Sequence, residues 1–299
     1  MLPVLLMAIL IMPQGQDPGG SQQAQPKPQP QIGVRAETDQ TVNVQKGMRV
    51  DLQNFAGDVI VKTWDRDAVR VRARHSSRSK IDITPRDQVL RISHDGMYSV
   101  DYELTVPAWI AIKIESHQGD VDIDGLAGAV TINTTEGDIT LRNFGGAATV
   151  ESIDGNVIVE GGKGRVQAKT TDGDITITKA SGELLVESID GTIKMTDVTA
   201  TALEASTVDG DILYSGTFQG SGRYRFESHD GDVTLMIPEN TSATFTIRRY
   251  DSSRKLDTNL PLKPVGDTTR ARRATYTLGG GAAQVEIESF DGDVTIKKK

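Results

Sequence analysis

Acidic side chains that recur at a fixed spacing are the residues of this sequence that point most directly to chemistry. Six of them stand just before the central glycine of a repeated phrase: Glu136, Asp154, Asp172, Asp190, Asp209 and Asp230. Five more stand just after such a glycine: Asp120, Asp138, Asp174, Asp211 and Asp232. If the repeats stack, neighbouring carboxylates lie about 5 Å apart, where they repel one another and offer the hard oxygen ligands that calcium prefers.

The same Asp-Gly pattern is also ordinary turn chemistry. Glycine adopts positive φ without strain, and an aspartate side chain accepts hydrogen bonds from turn N–H groups. Asn156 and Thr192 replace aspartate in the second column, which keeps the turn but loses the charge. The Gly-Gly-x-Gly-x-Asp motif of calcium β-rolls is absent. We therefore favour the turn interpretation and predict no metal site, with calcium binding as the alternative.

Other catalytic signatures are missing from the sequence. The chain has no cysteine, which excludes disulfides, thiolate catalysis and cysteine zinc sites. Its four histidines, at 75, 94, 117 and 229, show no metal-ligand spacing. There is no Gly-x-Ser-x-Gly, phosphate loop or His-Glu-x-x-His motif. We predict no catalytic or cofactor-binding residues, and keep a polysaccharide hydrolase or lyase as the alternative because Asp and Glu pairs are plentiful.

The elements that position the acidic residues are short strands in a repeat. The central glycines stand at 119, 137, 155, 173 and 191, which are 18 residues apart, and then at 210 and 231. After each turn, apolar residues alternate with polar ones, as at Val121 and Ile123 or Ile139 and Leu141, which is the pattern of a half-buried strand. A fixed period of this length indicates supersecondary units that stack on one another.

A second alternating column follows a glycine-rich break, for example Val130 and Ile132, so each period contains two strands and two turns. Glycine, threonine and aspartate recur in every unit, which argues against helices. The sequence therefore predicts an all-β fold: a parallel β-solenoid with about 18 residues and two main strands per coil, and irregular β caps at both ends. Hydroxyl side chains beside the turns are predicted to point inward: Thr134, Ser152, Thr170, Ser188, Thr207 and Ser228.

One column next to the acidic turn is partly apolar. Ile153, Ile189, Val208 and Phe290 alternate there with Thr135, Thr171 and His229. Two interpretations remain open: the apolar side chains form a contact surface, or they fold back over the turn. Arginines at 70, 72 and 74 and a basic cluster at 270–273 could likewise meet anionic polymers or be ordinary surface charge.

The chain of 299 residues divides into segments of different composition. The sequence predicts a signal-like apolar segment at 1–12, a disordered Gln/Pro/Gly-rich tether at 13–33, an N-terminal β region and cap at 34–114, regular solenoid repeats at 115–236, and a C-terminal β region with a final repeat at 237–299. The first segment is too short to span a bilayer as a helix, and it predicts export. A net charge of −8 argues against a nucleic acid as partner.

Several motifs resemble the DUF4097 family. These are the Glu-Ser-x-Asp-Gly-Asp-Val/Ile copies, the Trp64-Asp65 turn, the exit at Ile237-Pro238-Glu239-Asn240, and Gly279-Gly280-Gly281 before the last Asp-Gly-Asp-Val. The resemblance covers about 34–299 and implies a bacterial β-strand-repeat protein with an adhesin-like role, without catalytic residues to transfer. We therefore expect an exported, non-enzymatic binding or scaffold protein of the periplasm or cell surface. Its expected partners are an envelope protein or glycan or further copies of itself, with a membrane contacted only through an uncleaved N-terminus.

Overall fold

The computed structural model describes residues 35–250, 256–266 and 272–299. The predicted signal-like segment and tether lie outside these residues, as does Arg270 of the basic cluster. Every helix or strand assigned in the described part of the chain is a β-strand, and the 23 strands are joined in one continuous hydrogen-bonded sheet. The prediction of an all-β fold is confirmed.

The strands are numbered here in chain order. The first nine are β1 (Arg35–Asn43), β2 (Arg49–Ala56), β3 (Val59–Trp64), β4 (Ala68–Ser76), β5 (Ile81–Arg86), β6 (Val89–His94), β7 (Val100–Pro107), β8 (Ala111–Gln118) and β9 (Val121–Asp124). The next eight are β10 (Val130–Glu136), β11 (Ile139–Phe144), β12 (Ala148–Asp154), β13 (Val157–Asp172), β14 (Ile175–Asp190), β15 (Ile193–Asp209), β16 (Ile212–Asp230) and β17 (Val233–Ile237). The last six are β18 (Ala243–Arg249), β19 (Leu256–Thr258), β20 (Lys263–Val265), β21 (Arg273–Leu278), β22 (Ala283–Ser289) and β23 (Val294–Lys298).

The central strands stack in parallel with the periodicity of the sequence. Ile139 pairs with Val121 on one side and with Val157 on the other, and Val157 pairs in turn with Ile175. Each step is one 18-residue period, so equivalent residues of successive coils lie in one ladder. All of these side chains are fully or almost fully buried. The predicted stacking of repeats is confirmed.

The second column of each coil forms a matching ladder. Ile132, Val150, Ala168 and Val186 pair in sequence through β10, β12, β13 and β14, and each is fully buried. From β13 onward the strands of one coil merge into single strands of 16 to 19 residues. They merge because the residues between the two columns of a coil also pair in register with the next coil, as Gly162 does with Ala180.

At the N-terminal end, the order of the layers in space differs from the order of the strands in the chain. The early copy of the repeat, β2 and β3, pairs directly with β8 and β9, from which it is about 60 residues distant in sequence. The strands between them lie on its other side: β7 pairs with β3 and β6 with β2. Antiparallel pairings then complete this end, with β4 on β7, β1 on β4 and β5 on β6.

The C-terminal end has the same kind of connection. The last repeat, β22 and β23, pairs with β16 and β17 on one side. Its other side pairs with β18 and β19, which precede it in the chain. Antiparallel β21 and β20 lie beyond β18. The last repeat of the chain is therefore an inner layer of the stack, and not its outermost one.

Three of the edge strands carry features that hinder further pairing. β5 contains Pro85 and β20 contains Pro264, neither of which can donate a backbone hydrogen bond. β19 is only three residues long. Prolines and short strands are devices that protect exposed sheet edges. We infer that the ends are built to stop the stack from extending into a neighbouring molecule.

Candidate binding groove

The central turns contain a buried column of hydroxyl groups. The six side chains predicted to point inward are all buried, as are Ser116 and Ser289 in equivalent positions. The hydroxyl of Thr170 donates to the carbonyl oxygen of Gly155 at 3.0 Å, and that of Ser228 donates to Gly210 at 3.0 Å. Each such bond joins one coil to the turn of the coil before it. The prediction that these side chains point inward is confirmed. For the five hydroxyls from Ser152 to Ser228, the turn of the preceding coil supplies the partner that a buried hydroxyl needs.

The first acidic column lies in register on the outside of the turns. Glu136, Asp154, Asp172, Asp190, Asp209 and Asp230 occupy paired positions of successive coils and are all exposed. The predicted column therefore exists. Because its carboxylates face water, their mutual repulsion is screened by solvent and salt.

The second acidic column forms hydrogen bonds between coils. The Asp138 Oδ1 atom accepts the backbone N–H of Asn156 at 2.8 Å, and the Asn156 Oδ1 atom accepts that of Asp174 at 2.9 Å. The same bond links Asp174 to Thr192 and Asp211 to Asp232, both at 2.8 Å. Asparagine forms this bond as well as aspartate does, so the bond needs an acceptor oxygen and no negative charge. This is the turn role that the Asp-Gly pattern predicts.

The described residues contain no group of three or more His, Asp or Glu side chains placed to hold a metal ion. His75 lies 2.9 Å from the Thr38 hydroxyl, and His94 packs against Tyr102. The other two histidines are exposed and lie on phenylalanine rings, which the sequence did not suggest. The assignments of no catalytic, cofactor or metal residue stay predictions.

The apolar column beside the acidic turn is exposed to solvent. The exposed fraction is 55% for Ile153, 48% for Ile189, 51% for Val208 and 47% for Phe290. Half of each side chain thus remains in water, which favours the contact-surface interpretation over the one in which these residues cover the turn.

Aromatic rings extend this column at its C-terminal end. The rings of His229 and Phe290 stack with centroids 4.6 Å apart, and Tyr250 adds a third ring 4.9 Å from Phe290. The Tyr250 hydroxyl donates to the Glu288 carboxylate at 2.8 Å, and this bond raises the pKa of the tyrosine. Sequence analysis missed Tyr250, because it follows β18, which does not carry the repeated phrase. At the other end of the column, Phe55 lies 5.3 Å from His117.

We define the axial groove as the surface between two outward columns, with the hydroxyl column as its floor. Its apolar wall contains His117, Thr135, Ile153, Thr171, Ile189, Val208, His229 and Phe290. Its polar wall is formed by residues that pair in register: Glu115, Asn133, Glu151, Lys169, Glu187, Ser206, Glu227 and Glu288. Two depressions lie along it: one of about 450 Å³ around Ile153, and one of about 400 Å³ between Val208 and Tyr250.

Charges on the polar wall are largely paired. Lys169 contacts Glu187 at 2.5 Å, and this hydrogen bond raises the pKa of the lysine. A hydrogen bond from Lys113 lowers the pKa of Glu115. Arg225 contacts Glu227 at 2.8 Å. Such exposed pairs contribute little to stability, but they leave the wall with many hydrogen-bonding groups and with more carboxylates than cations.

The predicted basic features differ in their surroundings. Arg70 forms a two-point contact with Asp39, and Arg72 contacts Glu37 at 3.0 Å. These two arginines are therefore neutralised by carboxylates of β1 and offer less charge to an anionic polymer than the sequence suggested. Arg273 lines a separate depression of about 410 Å³ that also contains Glu183 and Glu204. That depression lacks the exposed aromatic rings and the two continuous walls of the groove.

Among curated proteins, none matches significantly. A Bacteroides fragilis structure named "putative adhesin" is 15% identical with a TM-score of 0.44, and the match covers 88% of this chain and 97% of that one. A "putative adhesin" from Parabacteroides distasonis is 13% identical with a TM-score of 0.40, over 89% and 98%. A "putative lipid binding protein" from the same species is 11% identical with a TM-score of 0.26, over 88% and 96%. We draw no functional conclusion from likeness of this degree.

The described residues contain no helix with the length and apolar character needed to cross a membrane. A family model described as Toastrack DUF4097 matches residues 99–183 and 148–297, which together make up more than half of the chain. The protein therefore belongs to the DUF4097 family, as its repeated turn phrase suggested.

Proposed function

We propose that this protein is an exported, non-catalytic binding module that presents the axial groove to a macromolecule of the bacterial envelope. The observation that supports this proposal is the half-exposed apolar wall beside a floor of hydroxyl groups, repeated over successive coils. Each coil is bonded in parallel to the next, so the groove is held in one conformation before a partner arrives. Preorganisation of this kind lowers the entropic cost of binding.

The fold itself does not need the apolar residues of the wall. Thr135 and Thr171 occupy the same column as Ile153 and Ile189, in coils with the same backbone pairing. A polar residue is therefore compatible with this position of the turn. Isoleucine that is half exposed in two coils of one column favours a contact role, because its exposed half contributes nothing to folding.

Scaffolding by end-to-end polymerisation is the less favoured use of the stack. Both ends are closed by antiparallel strands, and two of the edge strands contain Pro85 and Pro264. A partner that binds the groove along the side of the stack does not need these ends. Sedimentation of the purified protein over a range of concentrations tests this point, and we expect a monomer.

A non-catalytic role is supported by what the acidic residues contact. The second acidic column accepts turn N–H groups, and carboxylates of the polar wall pair with Lys113, Lys169 and Arg225. These acids recur with the fold and no single pair stands apart from the others. Turnover of a polysaccharide that is abolished by one carboxylate substitution would instead support the hydrolase or lyase.

Capture of partners from envelope extracts tests the proposed function. The triple variant Ile153→Thr, Ile189→Thr and Val208→Thr introduces a residue that the column already contains. Ile158→Thr is the matched control, because Ile158 is 38% exposed on another face and pairs with Thr140 and Thr176. We expect the triple variant to lose at least about tenfold of the captured material and the control to lose none. Equal capture by all three proteins would contradict the proposal.

Export is tested separately from binding. We expect a tagged full-length protein to fractionate with the envelope or the medium. Recovery only from the cytosol would contradict that part of the proposal, whatever the groove binds.

A further inference from the structure

We propose that the axial groove binds a linear, uncharged polysaccharide whose strand lies parallel to the stacking direction and reaches the aromatic rings of His229, Phe290 and Tyr250. This inference rests on the proposed function and names the class of partner. It depends on three properties of the groove: its period, its two unlike walls and its closed aromatic end.

The period of the groove suits a chain of sugar rings. Successive coils repeat the floor and both walls about every 4.8 Å. A pyranose ring with its linkage is about as long as one coil is thick, so successive rings can meet equivalent positions of successive coils. An extended peptide advances about 3.3 Å per residue and would lose register within a few coils.

A peptide also lacks backbone partners in the groove. The strands beneath it pair with a neighbour on each side, as β14 does with β13 and β15. Their backbone N–H and C=O groups are already used, so addition of a further strand is excluded there. Recognition must come from side chains, which is how proteins commonly bind the hydroxyl groups and C–H faces of sugars.

The two walls match the two kinds of surface on a pyranose. Ile153, Ile189 and Val208 offer apolar contact to the C–H face. The polar wall offers carboxylate, amide and hydroxyl groups, such as Glu227 and Ser206, that accept and donate hydrogen bonds. Ionised acceptors make stronger bonds to hydroxyl donors than neutral ones do.

Charge on the polar wall selects against acidic polymers. Glutamate occupies five of its eight positions, and the cations nearby are already engaged, Lys169 by Glu187 and Arg225 by Glu227. A uronate or phosphate group would meet carboxylates and find no unpaired cation on this wall. The groove is therefore complementary to uncharged sugars.

The C-terminal depression provides an end site. Tyr250 lies across this end of the groove and is fixed by its 2.8 Å bond to Glu288. Phe290 and Tyr250 are 47% and 46% exposed, and both line the depression of about 400 Å³ with Glu227 and Val208. Exposed, well-oriented aromatic rings are the side chains that contribute most to binding energy.

Titration calorimetry of the full-length protein with defined oligosaccharides tests the proposal. The probes are linear, uncharged series built from glucose, mannose, galactose or N-acetylglucosamine, from two to eight sugars long, with oligogalacturonate as the acidic comparison. We expect at least one uncharged series to bind with affinity that rises with length, and oligogalacturonate to bind at least tenfold more weakly.

Variants separate the contributions of the walls and the end site. We expect Tyr250→Ala and Phe290→Ala to weaken binding of all lengths at least tenfold. Tyr250→Phe keeps the ring and loses the bond to Glu288, so it should have a smaller effect. The triple threonine variant should weaken long oligosaccharides more than short ones, and Ile158→Thr should match the natural protein.

The outcomes distinguish this inference from the proposed function. Failure of every uncharged series at millimolar concentration, or preference for oligogalacturonate, overturns the inference. Capture of an envelope protein through the same wall also overturns it while it supports the proposed function. If no oligosaccharide binds and the triple threonine variant captures as much material as the natural protein, both the inference and the proposed function are overturned.

Discussion

The central coils and the two ends of the stack differ in how the chain passes through them. From β9 to β17 the order of layers in space follows the order of the chain, and each layer lies one repeat from the next. At both ends, a layer is inserted between two strands from which it is distant in sequence. An example is β22, which lies between β16 and β18. Periodic local connections thus build the centre, and long-range insertions complete the ends.

Buried polar groups show the same difference. From Ser152 to Ser228, the hydroxyl groups of the column find their partner one coil away, as do the Asp and Asn side chains of the second acidic column. Within the described residues, four buried side-chain atoms lack a hydrogen-bond partner: Asn54 Oδ1, Ser79 Oγ and His94 Nε2 in the N-terminal region, and Ser116 Oγ in the first regular coil, which stacks on that region. In the repeated coils, equivalent buried polar groups find equivalent partners. At an irregular end, each buried polar group needs a partner of its own.

Deletions give the largest expected contrast between the two regions. Removal of residues 283–299 takes away Val285, Ile287, Val294 and Ile296, all buried, and leaves β16 and β18 without their shared partner. At about 1.5–3 kcal/mol for each buried side chain, the loss of about 6–12 kcal/mol approaches the whole stability of a typical domain. We expect this variant to be recovered unfolded or aggregated.

Removal of residues 156–173 is the matched deletion in the centre. It takes out one complete 18-residue period and lets Ile175 stack on Ile139. Since a repeat array loses one layer and one interface, we expect a shorter protein that still unfolds cooperatively. Circular dichroism and urea unfolding check both deletions. A folded C-terminal deletion, or an unfolded central one, would contradict the contrast.

Glycines of the central turns give the next largest effect. A Cβ atom on Gly191 would overlap the carbonyl oxygen of Gly173 in the preceding coil, and Gly191 also has a φ of 151°. We expect Gly191→Ala to lower the free energy of unfolding by at least about 2 kcal/mol. Gly220→Ala is the control, since no atom lies within 4 Å of the added Cβ. Equal stability of the two variants in urea would refute close packing of the turns.

The sequence predicts the centre of the molecule well because the information there is local and repeated. Spacing alone places Ile139, Val157 and Ile175 in one ladder, and alternation alone places Thr170 and Ser188 inside. Several copies of the repeat show the same pattern, so one irregular coil does not change the predicted register.

The ends could not be predicted in the same way. The phrases at Gly57-Asp58 and Gly292-Asp293 look like any other copy, and nothing in them says which layer they join. Those partners are set by long-range packing, since β3 pairs with β9 and β23 with β17. For the groove, the apolar wall follows from spacing, but Tyr250 enters from a strand outside the repeated phrase.

Substitutions at Asp138 test whether its column serves the turns or a metal. Its Oδ1 atom accepts the N–H of Asn156, so Asp138→Ala should lose about 1–2 kcal/mol of stability. Asp138→Asn keeps the acceptor and should stay within about 0.5 kcal/mol of the natural protein. We expect a chelator to leave both melting temperatures unchanged. Stabilisation by calcium that Asp138→Asn abolishes would support the metal interpretation instead.

The smallest expected effect concerns pH and lies in the N-terminal region. Burial lowers the pKa of His94 below its ordinary value of 6.5, while Asp95 and the Tyr98 backbone act in the opposite direction. The folded protein therefore keeps this imidazole neutral at a pH where the unfolded chain already binds a proton. Proton uptake then favours unfolding, so stability should fall as the pH drops through about 6.5 and level off below the folded pKa.

His94→Gln removes this proton-linked term. Thermal unfolding between about pH 7.5 and 5.5 should show a smaller loss of melting temperature in the variant than in the natural protein. His229→Gln is the control, because it removes an exposed histidine from the other end of the described chain. If His94→Gln follows the natural protein across this range, protonation of His94 does not cause the fall in stability. The buried imidazole of the irregular N-terminal end would then not weaken the fold as the pH falls, and other groups must account for the pH dependence.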